Sequence, residues 1–515
     1  MKKNPLSYLK KQLKNKGGKE QLIMFLSGMG GSGKSEVIKA FIHFAENISF
    51  LFNWNYDIDT IKISALTGAA ACQLPNGKTL HSVAYLSNTK LTREHRQSWK
   101  STIILIIDEV SFLDEHNLMK LDKHLKILKE NNQLLYGGIQ IIFVGDFFQM
   151  LPVRGSPLFK NTTIQFNAIN KAVFLNTCHR FKNDEEYGMI MRRLRIGRIT
   201  KDDIHKINTR YIKNPDVSLP SISKLRCACY RNDERNAFNN LIFLQHLKTT
   251  HHLNHETDKY VPTHTCIIKA NMRYSGKKGT PLNLNLYNRL LDECGDCDIT
   301  NGSKAFVDPA LKFFHGIPLM MNTNERISEN LANGTPCYGL YVKLKEGTDF
   351  IKENWEGYMV NTIYATDIEY ILCSYEHDQQ KFFKIKPETR QCQIRLPMCN
   401  NIKVDDINVT YLPVNSSIST TGHKLQGKTL EHLVINSWAY GCTHWVYVVL
   451  SRVMELSCLI LNELLDIHRN YEPKQELIKW ENHIKKTIEK KTFQARGKSD
   501  SDKYIQEEID YNSLL

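Results

Sequence analysis

The sequence predicts an α/β protein with two blocks of parallel sheet covered by helices, the second interrupted by a small β-rich, barrel-like insertion. Three observations carry this. Apolar runs of strand length alternate with helical patterns from Gln21 to about Thr177, and the alternation returns after residue 178 and again after 405. Residues 251–405 hold short strand-like runs with little helical periodicity.

In the first block, strands are expected at QLIMFLS, TIKISAL, TIILIID, GIQIIFV and AVFLN. Each is continuously apolar, the pattern of a strand buried on both faces. Between the second and third, the chain turns polar behind a Pro-Asn-Gly turn signal, so residues 79–100 are expected to leave the sheet. The second block opens with the helical stretches EEYGMIMRRLRIG and KDDIHKINTRYI and continues through the strand KLRCAC and the helix DERNAFNNLIFLQHL. The insertion carries CIIKA, YGLYVKL, NTIYATDIEYILC and KFFKIK. The α/β pattern resumes with HLVINS, WVYVVLSRV and CLILNELL. The expected division is therefore a basic segment 1–20, a first domain 21–177, a second domain 178–250 plus 406–465, the insertion 251–405, and a charged tail 466–515, helical or partly disordered.

A chain of 515 residues can bury two or more cores. Its 68 Lys plus Arg exceed its 54 Asp plus Glu, a net charge of +14, which is a modest argument for a polyanionic partner and decides little alone. With 42% hydrophobic residues and no apolar run approaching a membrane span, the chain reads as globular, with no membrane partner expected. The basic N-terminus lacks an apolar core, so an intracellular protein is expected, nuclear in a eukaryotic cell. Thirteen cysteines, scattered through apolar segments, suit a reducing compartment. The pair Cys294 and Cys297 has no partner of ligand spacing in Cys392 and Cys399, so no zinc site is expected.

The chemistry is concentrated in three strand ends. GMGGSGKS fits GxxxxGKS and lies between a buried strand and a helix: Gly28, Met29, Gly30, Gly31, Ser32, Gly33, Lys34 and Ser35. Backbone N–H groups there face an anion, the helix N-terminus adds partial positive charge, Lys34 reaches β and γ phosphates, and Ser35 can ligate Mg2+. The expected ligand is ATP or another nucleoside triphosphate. The strand TIILII delivers Asp108, placed to hold Mg2+, and Glu109, placed to polarise the attacking water. In IIFVGDFFQMLPV, the Gln149 amide can contact both the γ-phosphate and that water.

GMGGSGKS, IIDEVSFL and VGDFFQMLPV resemble motifs I, II and III of superfamily-one DNA helicases of the Pif/RecD type, named for petite integration frequency. TGAAACQLPNGKTLHSV, LNTCHRFKNDEEYGMIMRRLRIG, TTGHKLQGKTL and VYVVLSRV resemble their motifs Ia, IV, V and VI, so the likeness runs from about residue 20 to 465. HRFKND and RLRIGRIT are similar to the helicase half of Helitron-type transposons and related viral or eukaryotic copies. The resemblance implies two RecA-like P-loop domains around a cleft, a duplex-separating wedge at 79–100, and a β-barrel at 251–405. Met320–Thr335 resembles the family's N…NGT stretch there.

It also implies site residues. Arg180 and Arg452 would reach the γ-phosphate from the second domain as arginine fingers, and Gly427 would bring backbone N–H groups near phosphate. Thr67, His81, His423, Lys424 and Thr429 would contact nucleic-acid phosphates. The implied activity is an ATP-dependent, DNA-stimulated helicase moving 5′ to 3′ on single-stranded and forked DNA, in replication, repair, recombination, or telomere or transposon maintenance. An RNA-directed or non-unwinding translocase and a catalytically idle binding remnant are the alternatives. Two departures stand out: Gln12 is a weak stand-in for the family's adenine-reading glutamine, and Gly422 and Leu425 replace a commoner β-branched and small residue in motif V.

Overall fold

All five apolar runs of the first block become strands of one parallel sheet in the computed structural model of the chain: β1 (Ile23–Gly28), β2 (Ile61–Ala65), β4 (Ile104–Asp108), β5 (Gln140–Gly145) and β6 (Lys171–Leu175), joined by the short β3 (Lys78–Thr79). The structure describes residues 21–490 and 492, except 53–54, 153–154, 161–162, 222–223, 258–264, 276–279, 283, 293–297, 302–304, 307, 324–330, 332, 377, 399–400 and 491. Gln12, Cys294, Cys297 and Cys399, each singled out above, lie outside those residues.

The strand order is β3-β2-β4-β5-β1-β6. Because β4, β5 and β1 are neighbours and parallel, their carboxyl ends open side by side, which is where ligands sit on open α/β sheets. The glycine loop, the Asp108–Glu109 pair and the turn carrying Gln149 are thereby brought together. Phe25, Phe143, Phe147 and Phe166 fill one face of this sheet.

The excursion after β3 is held to the same core. Trp99 is fully buried and its Nε1 donates to the Val83 carbonyl at 3.2 Å, while Tyr85 stacks on His95 with ring centroids 3.9 Å apart.

The second domain is a parallel sheet of four strands in the order Ser419–Thr421, Cys227–Cys229, Leu433–Ile435, Leu459–Leu461. Between its first two strands in sequence lie the long helix Asn232–Thr257 and three further sheets. The expected end of the insertion at 405 is corrected: it falls inside the strand Asn401–Tyr411, which pairs along its length with Glu388–Met398. Val414–Ser416 still pairs with Ile317–Met321, so the insertion's sheets continue to Ser416. The boundary was hidden because these strands are mixed polar and apolar, with no turn signal at 405. Ile267, Leu319 and Ile371 of the insertion share one core with Leu225, Val434 and Ile460 of the second domain, so the two pack as one body.

Part of the stretch 466–515, expected as a charged tail that is helical or partly disordered, is a helix packed on the first domain. The helix Gln475–Ile484 and the π-helical turn Lys485–Glu489 return to the first domain. There Trp480 packs on Phe147, Phe25 and Phe166 at centroid distances of 5.1, 5.4 and 5.8 Å. Glu489 Oε1 accepts from the Phe174 N–H at 2.8 Å and Thr492 Oγ1 from the Ala172 N–H at 3.2 Å, covering the free edge of β6. Leu477, Trp480 and Ile484, spaced as a helix stripe, make the docking face inside a charged stretch. Among the described residues, no helix is long and apolar enough to cross a membrane.

Candidate nucleotide cleft and nucleic-acid face

The loop after β1 is shaped by what its glycines omit. Gly31 and Gly33 have φ of +84° and +87°, in the left-handed region. A Cβ on Gly30 would lie 3.0 Å from Arg180 Nη1 and 3.2 Å from Arg452 Nη2, and one on Gly31 would lie 2.5 Å from Arg180 Cβ. Missing side chains therefore let the guanidinium groups of Arg180 and Arg452 reach the loop. Lys34 Nζ donates to the Gly28 and Met29 carbonyls at 2.7 and 3.1 Å. Burial lowers the Lys34 pKa, and the nearby Asp146, Glu109 and Asp108 oppose that shift. The Ser32 hydroxyl is buried with no hydrogen-bond partner among the described residues. Ser35 follows Lys34 in the first turn of the helix Lys34–Phe52.

Asp108 ends β4 at 7% exposure, and its Oδ1 accepts from the Glu109 N–H at 2.8 Å. Burial, then the Glu109 charge, push its carboxyl up to about 7. Glu109 itself is held at φ 55°, a left-handed conformation that a non-glycine residue adopts at a cost of about 1–3 kcal/mol. Its carboxylate meets the second domain, where Gln426 Nε2 donates to Glu109 Oε2 at 2.8 Å.

Gln426 is the residue that the sequence reading missed. Its Nε2 also lies 3.2 Å from Ser111 Oγ, and its Oε1 accepts from the Met150 N–H at 3.0 Å, so one side chain of the second domain ties together the turns after β4 and β5 of the first. In HKLQGKT the cations, the glycine and the hydroxyl carry the phosphate expectation. A glutamine able to donate and accept at once was the available signal. Gly427 has φ +82°, and a Cβ there would lie 3.3 Å from Glu109 Oε1, so it rests against the carboxylate.

Gln149 is 3% exposed, on a turn where its N–H bonds the Asp146 carbonyl at 3.0 Å. Asp146 anchors that turn by accepting from Arg195 Nε and Nη2 at 3.1 and 2.7 Å. Burial alone would raise the Asp146 carboxyl, but the Arg195 charge and hydrogen bonds outweigh it and hold the group below its ordinary range. Arg195 also reaches Glu481 of the C-terminal helix at 3.2 Å and lies 4.1 Å from the Phe148 ring centroid.

Arg180 Nη1 donates to the Ser451 carbonyl at 2.7 Å and Nη2 to Thr429 Oγ1 at 3.0 Å. Arg452, 1% exposed, donates to the Val448 carbonyl at 2.7 Å, Ser451 Oγ at 2.7 Å and the Lys428 carbonyl at 3.3 Å. All of these acceptors are neutral. Burial, then the neighbouring Arg180 charge, push the Arg452 guanidinium down to about 9. Two adjacent cations with neutral partners beside a glycine loop, together with the unpartnered Ser32 hydroxyl, fit a polyphosphate. The carboxylate Asp108 and the hydroxyl Ser35 are oxygen donors of the kind Mg2+ takes.

Among the residues expected to hold nucleic acid, Thr67 and His81 follow β2 and β3 of the first domain. Thr67 caps the helix Gly68–Cys72, its Oγ1 accepting from the Ala70 N–H at 3.2 Å, which leaves the hydroxyl proton to donate. His423 and Lys424 lie on the short helix Gly422–Leu425 of the second domain. Thr429 is placed elsewhere: its hydroxyl supports Arg180, which puts it in the nucleotide cleft. Gly422 has a local reason, since a Cβ there would lie 2.3 Å from Trp445 Nε1. A β-branched residue is sterically excluded by that indole.

Two α/β domains closing on one glycine loop, with carboxylates on one side and guanidinium groups on the other, define a P-loop protein with two RecA-like domains. Residues 8–208 match the model of the PIF1-like helicase family. The protein named ATP-dependent DNA helicase PIF1 of Saccharomyces cerevisiae is 31% identical over 195 residues, a match covering 34% of this chain. The chain spans about a fifth, 21%, of that relative. A Bacteroides Pif1 helicase solved with ADP-AlF3 and ssDNA aligns with a TM-score of 0.61 at 18% identity, over 93% of this chain and 97% of that one. The Pif1 helicase of Candida albicans aligns with a TM-score of 0.62 at 20% identity, over 94% of this chain and 99% of its own. The expected fold of two RecA-like domains plus insertion therefore extends over nearly the whole chain.

Proposed function

We propose that the protein is an ATP-dependent DNA helicase that moves 5′ to 3′ on single-stranded DNA and opens forked duplexes. The observation that supports it most is the convergence of Arg180 and Arg452, 3.0 and 3.2 Å from the Cβ position of Gly30, on a glycine loop carried by the other domain. A nucleotide at that seam is held from both sides, so its cleavage is felt as a change in domain spacing.

In this reading Lys34 and the loop N–H groups bind the β and γ phosphates of ATP. Ser35 and Asp108 would hold Mg2+, which when bound neutralises charge on the phosphate oxygens. Glu109 takes a proton from the attacking water, Gln149 orients that water, and Gln426 holds the Glu109 carboxylate in place. Arg180 and Arg452 stabilise charge at the γ-phosphate as it leaves. When the phosphate goes, the guanidinium groups lose their anion and the domains part. Thr67 and His81 grip the strand from one domain and His423 and Lys424 from the other, so the parting becomes a step. These contacts address phosphate and not base, as a motor on varied sequence requires. The setting we propose is intracellular DNA maintenance.

Replacing Lys34 with alanine tests the reading: strand-stimulated ATP hydrolysis and fork unwinding are expected to disappear together, and unwinding that survives the change overturns it. Gln426→Ala is expected to lower kcat by about tenfold with little change in KM for ATP, the loss of one hydrogen bond to a charged group. Steady-state turnover at saturating oligonucleotide measures it, and an unchanged kcat removes Gln426 from the mechanism.

A further inference from the structure

Behind the turn bearing Gln426 and Gly427 lies a cavity of about 660 Å³ where the first domain, the second domain and the insertion meet. Lys39, Arg226, Glu376, Ser417, Lys428 and Thr429 contribute to its walls. The insertion closes on the first domain here, since a Cβ on Gly334 would lie 3.1 Å from Ala69 Cβ.

Positive charge in this cavity exceeds negative. Burial pushes the Lys428 ammonium down to about 8; Glu376 opposes the shift, while Arg226 and Lys424 reinforce it. Arg226 already donates to that same Glu376 carboxylate at 3.2 Å and to the Tyr338 hydroxyl at 3.2 Å. Arg226 and Lys428 thus both lie in reach of the one Glu376 carboxylate. Ser417, 4% exposed, also lines the cavity, and its buried hydroxyl has no hydrogen-bond partner among the described residues. Excess buried cation and an unpartnered hydroxyl together select an anion rich in acceptor oxygens.

The cavity shares a wall with the hydrolytic site. Gly427 lines it, with its Cβ position 3.3 Å from Glu109 Oε1, and Thr429 lines it while its hydroxyl holds Arg180. Lys39 stands four residues beyond Ser35 on the same helix, hence on the same face.

We propose that this cavity is an anion site that takes up the inorganic phosphate made in the cleft on its way to solvent. The proposal rests on the ATP-hydrolysing reading. In that reaction water attacks Pγ, the bond from Pγ to the oxygen bridging to Pβ breaks with its electron pair staying on ADP, and Glu109 accepts the water proton. The product is a free phosphate of one to two negative charges near neutral pH, matched to the surplus charge of the cavity. A DNA backbone phosphate offers the same oxygen chemistry and is the other possible source, which the experiment separates.

The test uses the full chain with ATP, an oligo(dT) strand and added inorganic phosphate. Wild type, Lys428→Met, Lys428→Arg and Ser417→Ala are compared by rapid-quench cleavage, by a fluorescent phosphate sensor for release, and by inhibition of turnover by inorganic phosphate in the presence of ADP. The expected result is unchanged cleavage in Lys428→Met, a phosphate inhibition constant raised at least about tenfold, recovery in Lys428→Arg, and unchanged oligo(dT) affinity. Ser417→Ala is expected to raise the constant by about threefold and keeps the test alive if Lys428→Met does not fold. An inhibition constant that stays at the wild-type value overturns the proposal, as does lost oligo(dT) affinity with unchanged phosphate inhibition, which assigns the cavity to the strand backbone. A wild-type protein that cleaves no ATP defeats the hydrolytic reading itself, a result distinct from cleavage with unaltered phosphate inhibition.

Discussion

Arg452→Ala is expected to lower strand-stimulated ATP turnover by about a thousandfold or more, the scale on which an arginine finger acts. The residue is 1% exposed, and its guanidinium is held by two carbonyls and a hydroxyl with Nη2 aimed at the glycine loop. With the guanidinium already against the loop, the expected contribution is preorganised. The same burial makes the charge costly without an anion, as the depression of its pKa to about 9 records. Its removal is therefore expected to spare the melting temperature while turnover collapses. Lysine is a poor replacement, since a point charge cannot keep three planar donors engaged. Phosphate release at saturating ATP and oligonucleotide measures the effect, and a loss smaller than tenfold means that Arg452 does not act on the phosphate.

Trp480→Ala is expected to cost about 3–5 kcal/mol of stability, the range for truncating a buried tryptophan. The indole is 7% exposed against three phenylalanines of the first domain, including Phe147, which lies in the turn that also carries Gln149. Its neighbour Glu481 reaches Arg195, which in turn anchors Asp146. Urea unfolding of the full chain is expected to show the loss in a transition that includes the first domain. A change below about 1 kcal/mol would mean that the helix rests on the domain without supporting it.

Much of the site was legible before any coordinates. A glycine loop between a buried strand and a helix can be recognised from residue order because the strand, the loop and the helix start are contiguous, and the same holds for Asp108 and Glu109 at the end of β4. Thr429 shows the limit. A hydroxyl beside a lysine reads as a phosphate contact, yet which partner it meets depends on Arg180, 249 residues away. Gln426 shows it again: its three partners, Glu109, Ser111 and Met150, are scattered through the first domain, and only closure of the two domains assembles them. The docking face of the last helix was visible as spacing, but net charge concealed it.

By itself the sequence determined local matters: five buried strands, their parallel pairing by way of helical crossovers, and the residue types that phosphate and metal chemistry demand, all set by periodicity and neighbours within a few positions. Only the tertiary structure decided where the insertion ends, which strand edge the final helix covers, what supports Glu109, and which cations surround the cavity beneath Gly427. Most of those are contacts between residues a hundred or more positions apart, fixed by shape and burial when separate parts of the chain pack, and no pattern along the chain encodes them individually.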